Sequence, residues 1–170
     1  MEFYEVLHKR CSVREYEDRP VEDEKLRKVL EAGRIAPSAS NKQDWKFVVV
    51  QNPETIAKLT EFCEQPWIAQ VPVMIAVVGL NGRIMFCEVP AAPVDCSIAI
   101  DHMTLAAVEE GLGTCWIGHF KQSECRKLLG IPEDSRIIQM LTLGYPKGEP
   151  AKAKSRKDFD EVVCFEKFSL

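Results

Sequence analysis

The stretch VDCSIAIDHMTLAAVEEGLGTCWIG, residues 94–118, decides how this chain folds. From Val94 it is apolar almost all round, interrupted only by Asp95, Ser97, Asp101, His102, Thr104 and the Glu109–Glu110 pair. A helix without a polar face is buried on most sides, so this one is either the central helix or part of a contact between two chains. Gly111 or Gly113 stops it, and TCWIG, residues 114–118, follows as a short apolar strand or loop.

The flanking elements arrange themselves around that helix. VEDEKLRKVLEAGRIA, from Val21, spaces Leu26, Val29, Leu30 and Gly33 at helical intervals, with acids in the first turn and Arg34 near the end. PSASNKQ, residues 37–43, breaks that period with turn formers before WKFVVVQ, residues 45–51, a β-branched and aromatic strand. Asn52 caps the helix NPETIAKLTEFC with Pro53 in its first turn, and VMIAVVG, residues 73–79, is a buried strand. Residues 81–93 have no clear period and read as an excursion or loop. SECRKLLGIP reads as a helix capped by Ser123 and stopped by Gly130, RIIQMLTLGYP, residues 136–146, as a strand, and EVVCFEKF as a closing strand. The strands are too few for a doubly wound sheet. The fold class is therefore α+β, a small sheet covered by helices in a single domain spanning 1–170.

Composition narrows the function. The 170 residues are 46% hydrophobic and carry a net charge of −4, which suits a soluble domain with no intrinsic attraction for nucleic acid. The longest apolar run, VPVMIAVVGL at 71–80, is too short for a membrane-spanning helix, and Glu2 and Glu5 replace a basic leader. A cytoplasmic protein without a membrane partner is the expectation. The seven cysteines contain no CxxC pair and read as free thiols, mostly small core residues rather than metal ligands. His8, His102 and His119 have no obvious carboxylate partner at useful spacing.

Three segments hold more polar donors than folding requires. In Arg10–Cys11–Ser12–Val13–Arg14, an extended backbone sends Arg10, Ser12 and Arg14 to one side, and two guanidinium forks with a hydroxyl suit a phosphate. Pro37–Ser38–Ala39–Ser40–Asn41–Lys42–Gln43 offers carboxamides able to read the N–H and C=O edge of a heterocycle. Lys152–Ala153–Lys154–Ser155–Arg156–Lys157 is the one basic cluster in an acidic chain. Each segment taken alone also reads as a solvated turn or lysine run.

Together they resemble the nitroreductase family of FMN-dependent oxidoreductases. The resemblance rests on Arg10–Ser12–Arg14 after the first helix, PSASNKQDWKFVVV, GLGTCWIG from Gly111 to Gly118, LGYP from Leu143, and the late basic residues, in family order from residue 2 to about 165. It implies a nitroreductase-like, mostly antiparallel sheet and an intertwined homodimer with FMN at the subunit interface. It further implies that Arg10 and Ser12 hold the FMN phosphate, helped by Arg156 with Lys154 nearby, and that Arg14 lies nearer the flavin N1/O2 edge. Pro37, Ser38, Ala39, Asn41 and Gln43 match the turn that reaches the cofactor from the other subunit. Trp116, Ile117 and Gly118 match the backbone beside N5. By the same resemblance EVVCFEKF is the extension that embraces the neighbouring subunit.

Two departures touch this pattern. Cys11, inside the cofactor segment, stands where Arg is common, and Asp44 stands where Pro often precedes the Trp. Residues 81–93 are short where longer members cover the substrate. The implied activity is hydride transfer from NADH or NADPH through FMN to a small electrophilic acceptor such as a nitroaromatic, quinone or activated alkene. No protein side chain need act as acid or base. An FMN-binding protein that stores or senses flavin without nicotinamide turnover is the alternative.

Overall fold

The computed structural model describes residues 1–148 and 154–169. In chain order it contains α1 (Phe3–Lys9), α2 (Asp23–Arg34), β1 (Trp45–Val50), α3 (Pro53–Cys63), β2 (Val73–Gly79), α4 (Ala91–Glu109), β3 (Gly113–Ile117), α5 (Gln122–Leu128), β4 (Arg136–Gly144) and α6 (Phe159–Val162). The four strands form one sheet in the order β1-β2-β4-β3, with all three ladders antiparallel. β2 is buried along its whole length, as its unbroken apolar sequence requires. β1 and β3 are the edges.

Side chains on each strand alternate between two cores. Val73, Ile75, Val77, Leu141 and Leu143 pack against α2 and α4, around Val29, Cys96, Ile100 and Met103. Met74, Ala76, Val78 and Met140 pack against α3 and α5, around Leu59, Cys63, Ile68 and Cys125. Gly33 lets α2 approach α4, because a Cβ there would lie 2.1 Å from Met103 Cε. Burial raises the thiols of Cys63 and Cys96 to about 12 and of Cys125 to about 11, so these act as small hydrophobes. No disulfide or cluster of metal-ligating side chains occurs among the described residues. No described helix is long and apolar enough to cross a membrane.

Several boundaries differ from the sequence expectation. α4 begins at Ala91 rather than Val94, because Pro93 falls in the first turn, where its missing N–H costs nothing. Gly111, at φ 73°, follows the C-cap Glu110 and ends the helix, leaving Gly113 for a different task. Ser123 does not cap α5, which starts at Gln122. The Gln122 carboxamide donates to the Ile137 carbonyl (2.8 Å) and accepts from the Ile137 N–H (3.2 Å), fixing that start to β4. EVVCFEKF is not a closing strand. Asp158 and Glu161 form a capping box that turns Phe159–Val162 into the one-turn helix α6, with exposed, bent chain beyond. The basic segment's Lys152 and Ala153 lie outside the described residues.

Candidate active site

Arg10–Arg14 lies along the outer edge of β3. Ser12 pairs in parallel with Thr114, and the Val13 N–H donates to the Thr114 carbonyl at 2.9 Å. The approach depends on Gly113, whose Cβ would stand 2.6 Å from Val13 Cγ2. Tyr16 locks the other side: its hydroxyl donates to the Val13 carbonyl at 2.9 Å and lies 2.7 Å from Thr142 Oγ1. Burial raises the Tyr16 phenol, so the hydroxyl keeps its proton. Cys11 and Val13 are half-buried, Ser12 and Arg14 exposed, which is the alternation an extended segment dictates.

Late basic residues join this edge. Lys154 Nζ donates to the Leu7 carbonyl at 2.6 Å. Its ammonium is held below the usual lysine range, first by loss of water and then by repulsion from Arg10 and Arg156. Those two guanidinium groups and the ammonium are therefore one like-charged cluster. Among the described residues none of Arg10, Arg14, Lys154 and Arg156 pairs with a carboxylate, whereas Arg19, Lys28, Arg34 and Lys121 all do. Such a cluster is able to take an anion.

Beyond Thr114 the edge of β3 offers backbone. Antiparallel pairing turns alternate residues toward β4, so Trp116 shares the outward direction of the Thr114 carbonyl, and Gly118 follows just past the end of the strand. Gly118 packs on Gln139, whose Oε1 would be 3.2 Å from a Cβ there and is itself buried without a partner among the described residues. His119 follows, with Nε2 3.6 Å from Glu64 Oε2, so the carboxylate that sequence spacing failed to provide comes from the end of α3.

The third group precedes β1 and is built differently. Ser40, Asn41 and Gln43 all have left-handed backbone, with φ of 56°, 51° and 54°. For side-chain-bearing residues that costs about 1–2 kcal/mol each, so other contacts must hold the turn. Ser38 Oγ accepts from the Gln43 N–H (2.9 Å), and Gln43 Nε2 donates to Asn41 Oδ1 (3.1 Å). The 3% exposed Asp95 accepts the Ala39 N–H at 2.9 Å, and Arg83 donates to the Ala39 carbonyl at 2.9 Å. Pro37, Ser40, Asn41 and Gln43 remain exposed, while Ser38 and Ala39 are half-buried.

Within one chain these groups do not meet. Arg10, Cys11, Ser12, Arg14, Trp116, Ile117, Gly118, Lys154 and Arg156 gather at the β3 edge, whereas Pro37, Ser38, Ala39, Asn41 and Gln43 lie at the β1 edge. Three strand spacings, about 14 Å, lie between β1 and β3, and the Arg10–Arg14 segment sits one spacing further out. Sequence reasoning missed Arg83 and Gln139 altogether and noted Asp95 only as a polar interruption of an apolar helix, which was the available signal. A cleft of about 880 Å³ lined by Glu17, Arg19, Gln51, Gln70 and Lys147 contains none of the expected site residues.

The model of the nitroreductase family matches residues 7–79 and 62–145. A relative from Archaeoglobus fulgidus named "Putative NADH dehydrogenase/NAD(P)H nitroreductase" is 34% identical, covering 95% of this chain and 91% of its own. A crystal structure of a nitroreductase family protein from Clostridium difficile 630 superposes with a TM-score of 0.88 at 34% identity, covering 99% of this chain and 100% of that one. An FMN-dependent nitroreductase from Clostridium difficile R20291 gives 0.82 at 30% identity, with 96% and 98% covered.

Proposed function

The chain belongs to the nitroreductase family, and from that premise we propose that it is a homodimeric, FMN-dependent NAD(P)H oxidoreductase that reduces small electrophilic acceptors. The observation that carries this reading is the unneutralised cluster of Arg10, Lys154 and Arg156 beside Ser12, next to a strand edge with outward backbone amides. These donors suit FMN from end to end. The cations and hydroxyl take the phosphate. The amides of Trp116 and Gly118 take ring acceptors, and the carboxamides of Asn41 and Gln43 read the ring's mixed donor and acceptor edge.

The separation of the two groups supports a site completed by a second chain. A protomer can bring its β1-edge turn to its partner's β3 edge, but not to its own. The exposed apolar surface agrees: Phe86 is fully exposed, and Phe165 and Phe168 on the last segment are 77% and 82% exposed. That segment, residues 154–169, is the arm suited to lie on the neighbouring subunit.

When bound, FMN supplies the two-electron chemistry, accepting hydride from a nicotinamide and passing electrons to the acceptor. The protein's share is placement and charge. Arg10, Ser12, Lys154 and Arg156 anchor the phosphate, and Arg14 supplies fixed positive charge where negative charge develops on reduction. Gly118 keeps a side chain away from the reacting face. No side chain is required as acid or base. Nitroaromatics, quinones and activated alkenes share the electron-poor π system this chemistry demands. The test is anaerobic mixing of FMN-loaded protein with NADH and NADPH, followed by acceptors. Bleaching of the yellow colour and its return with an acceptor is expected, and protein that stays colourless after incubation with FMN contradicts the reading.

A further inference from the structure

The 38–43 turn is tied at both ends to the chain that follows β2. The Leu80 N–H donates to the Asp44 carbonyl at 3.1 Å, and Arg83 Nη2 donates to the Ala39 carbonyl at 2.9 Å. Arg83 also lies 4.0 Å from Asp95 Oδ2, while Asp95 Oδ1 accepts the Ala39 N–H. One residue, Ala39, is thus held at its N–H by a carboxylate from α4 and at its C=O by a guanidinium from the loop, which fixes the two peptide units that flank it.

The same arginine begins a small hairpin. Its carbonyl accepts the Ala91 N–H (2.9 Å), Ile84 pairs antiparallel with Pro90, and the Met85 N–H donates to the Val89 carbonyl (2.9 Å). Glu88 completes the tip with φ 66°, and Phe86 and Cys87 stand exposed on it. Arg83 Nε is buried without a hydrogen-bond partner among the described residues, so the arginine is not explained by contacts within the hairpin alone. Its placement makes sense as a link between hairpin and turn.

We propose that Arg83 and Asp95 are positioning residues that hold the 38–43 turn in its left-handed shape and tie it to the 83–90 hairpin, so that ring binding at the turn and hairpin conformation are coupled. The proposal rests on the FMN reading and adds the residues that preorganise the ring end. Reciprocity follows: a ligand that settles the turn steadies the hairpin, and loosening the hairpin weakens the ligand by the same factor. Phe86 and Cys87 ride on that hairpin, so the surface they form responds to cofactor occupancy.

Riboflavin, which keeps the ring and lacks the phosphate, separates the two ends. Flavin fluorescence titrations of wild type, Arg83→Ala, Arg83→Lys, Asp95→Asn and Arg10→Ala with FMN and riboflavin form the experiment, alongside hydrogen exchange at the Met85, Glu88 and Ala91 amides. Arg83→Ala is expected to weaken both ligands by the same ten- to hundredfold, the effect of losing one charge-assisted contact. The ratio of FMN to riboflavin affinity then stays constant, whereas Arg10→Ala lowers it. Arg83→Lys restores a donor to Ala39 and recovers part of the loss. Asp95→Asn preserves the side-chain shape and serves if Arg83→Ala fails to fold, with a smaller equal loss for both ligands. Riboflavin is expected to slow hairpin exchange in wild type and not in Arg83→Ala. Unchanged riboflavin affinity in a folded Arg83→Ala or Asp95→Asn, a changed affinity ratio, or hairpin exchange indifferent to riboflavin in wild type overturns the proposal. Wild type that binds neither flavin overturns the FMN reading and the proposal with it.

Discussion

At the β3 edge, Arg10, Ser12 and Arg14 are displayed by the period-two geometry of an extended segment, with the burial alternation of residues 11–14 to match. Across the sheet, Ser40, Asn41 and Gln43 are displayed by left-handed backbone that Asp95 and Arg83 hold from a distance in sequence. The first region is a rigid edge that concentrates charge, and its cost is repulsion among cations. The second is a preorganised loop that presents amides, and its cost is backbone strain. Phosphate binding asks only for charge and hydroxyls, while reading a ring asks for direction, so on the proposed FMN site each end would use the device its ligand chemistry needs.

The sharpest way to separate the ends is to remove charge from one. Replacing Arg10 and Arg156 together by Ala should weaken FMN by about 1.5–3 kcal/mol per contact and leave riboflavin nearly unaffected, as fluorescence titration will read. Next in size is Gly113→Val, which forces Val13 and its segment off the β3 edge. Overpacking of this kind costs about 2–3 kcal/mol, measurable by urea unfolding, with FMN affinity falling more than riboflavin affinity.

A smaller effect comes from pH. Bound phosphate favours charged Lys154, whose ammonium in the free protein is held below the usual lysine range. Binding therefore takes up a proton between the free and bound pKa values. FMN affinity should be flat below the free value and fall as pH rises above it, by no more than about tenfold per unit for one proton. Lys154→Ala should remove that component. Smallest is Ser40→Gly, which relieves left-handed strain on an exposed residue and should raise stability by about 0.5–1 kcal/mol, seen as a slight rise in Tm.

The same contrast explains what the sequence disclosed. β2 and β4 were legible because long apolar runs bounded by turn formers have one sensible reading, and Asn52 with Pro53 announced α3. Arg10–Ser12–Arg14 was legible because strand periodicity is local. The strand expected over EVVCFEKF, residues 161–168, does not form: Val162, Val163, Cys164 and Phe165 have strand-like side chains, but the Asp158–Glu161 capping box turns the chain into α6 at its start. The left-handed turn was not legible, since Ser, Asn and Gln do not by themselves demand positive φ. Neither was its clamp, because Arg83 and Asp95 meet across a hairpin and a helix start. The strand order β1-β2-β4-β3 places consecutive motifs at opposite edges, and no local pattern encodes that order.

In the proposed dimer one cofactor site draws its phosphate end and its ring end from different chains. Subunit mixing tests it most directly. An Arg10→Ala/Arg156→Ala variant and an Asn41→Ala/Gln43→Ala variant are each expected to bind FMN weakly. Unfolded together and refolded as a mixture, they form heterodimers in which one site carries all four substitutions and the other carries none. High-affinity FMN binding is expected to return, at up to one site per heterodimer. Refolded heterodimers that bind no better than either parent would contradict it and place both ends of the site within a single chain.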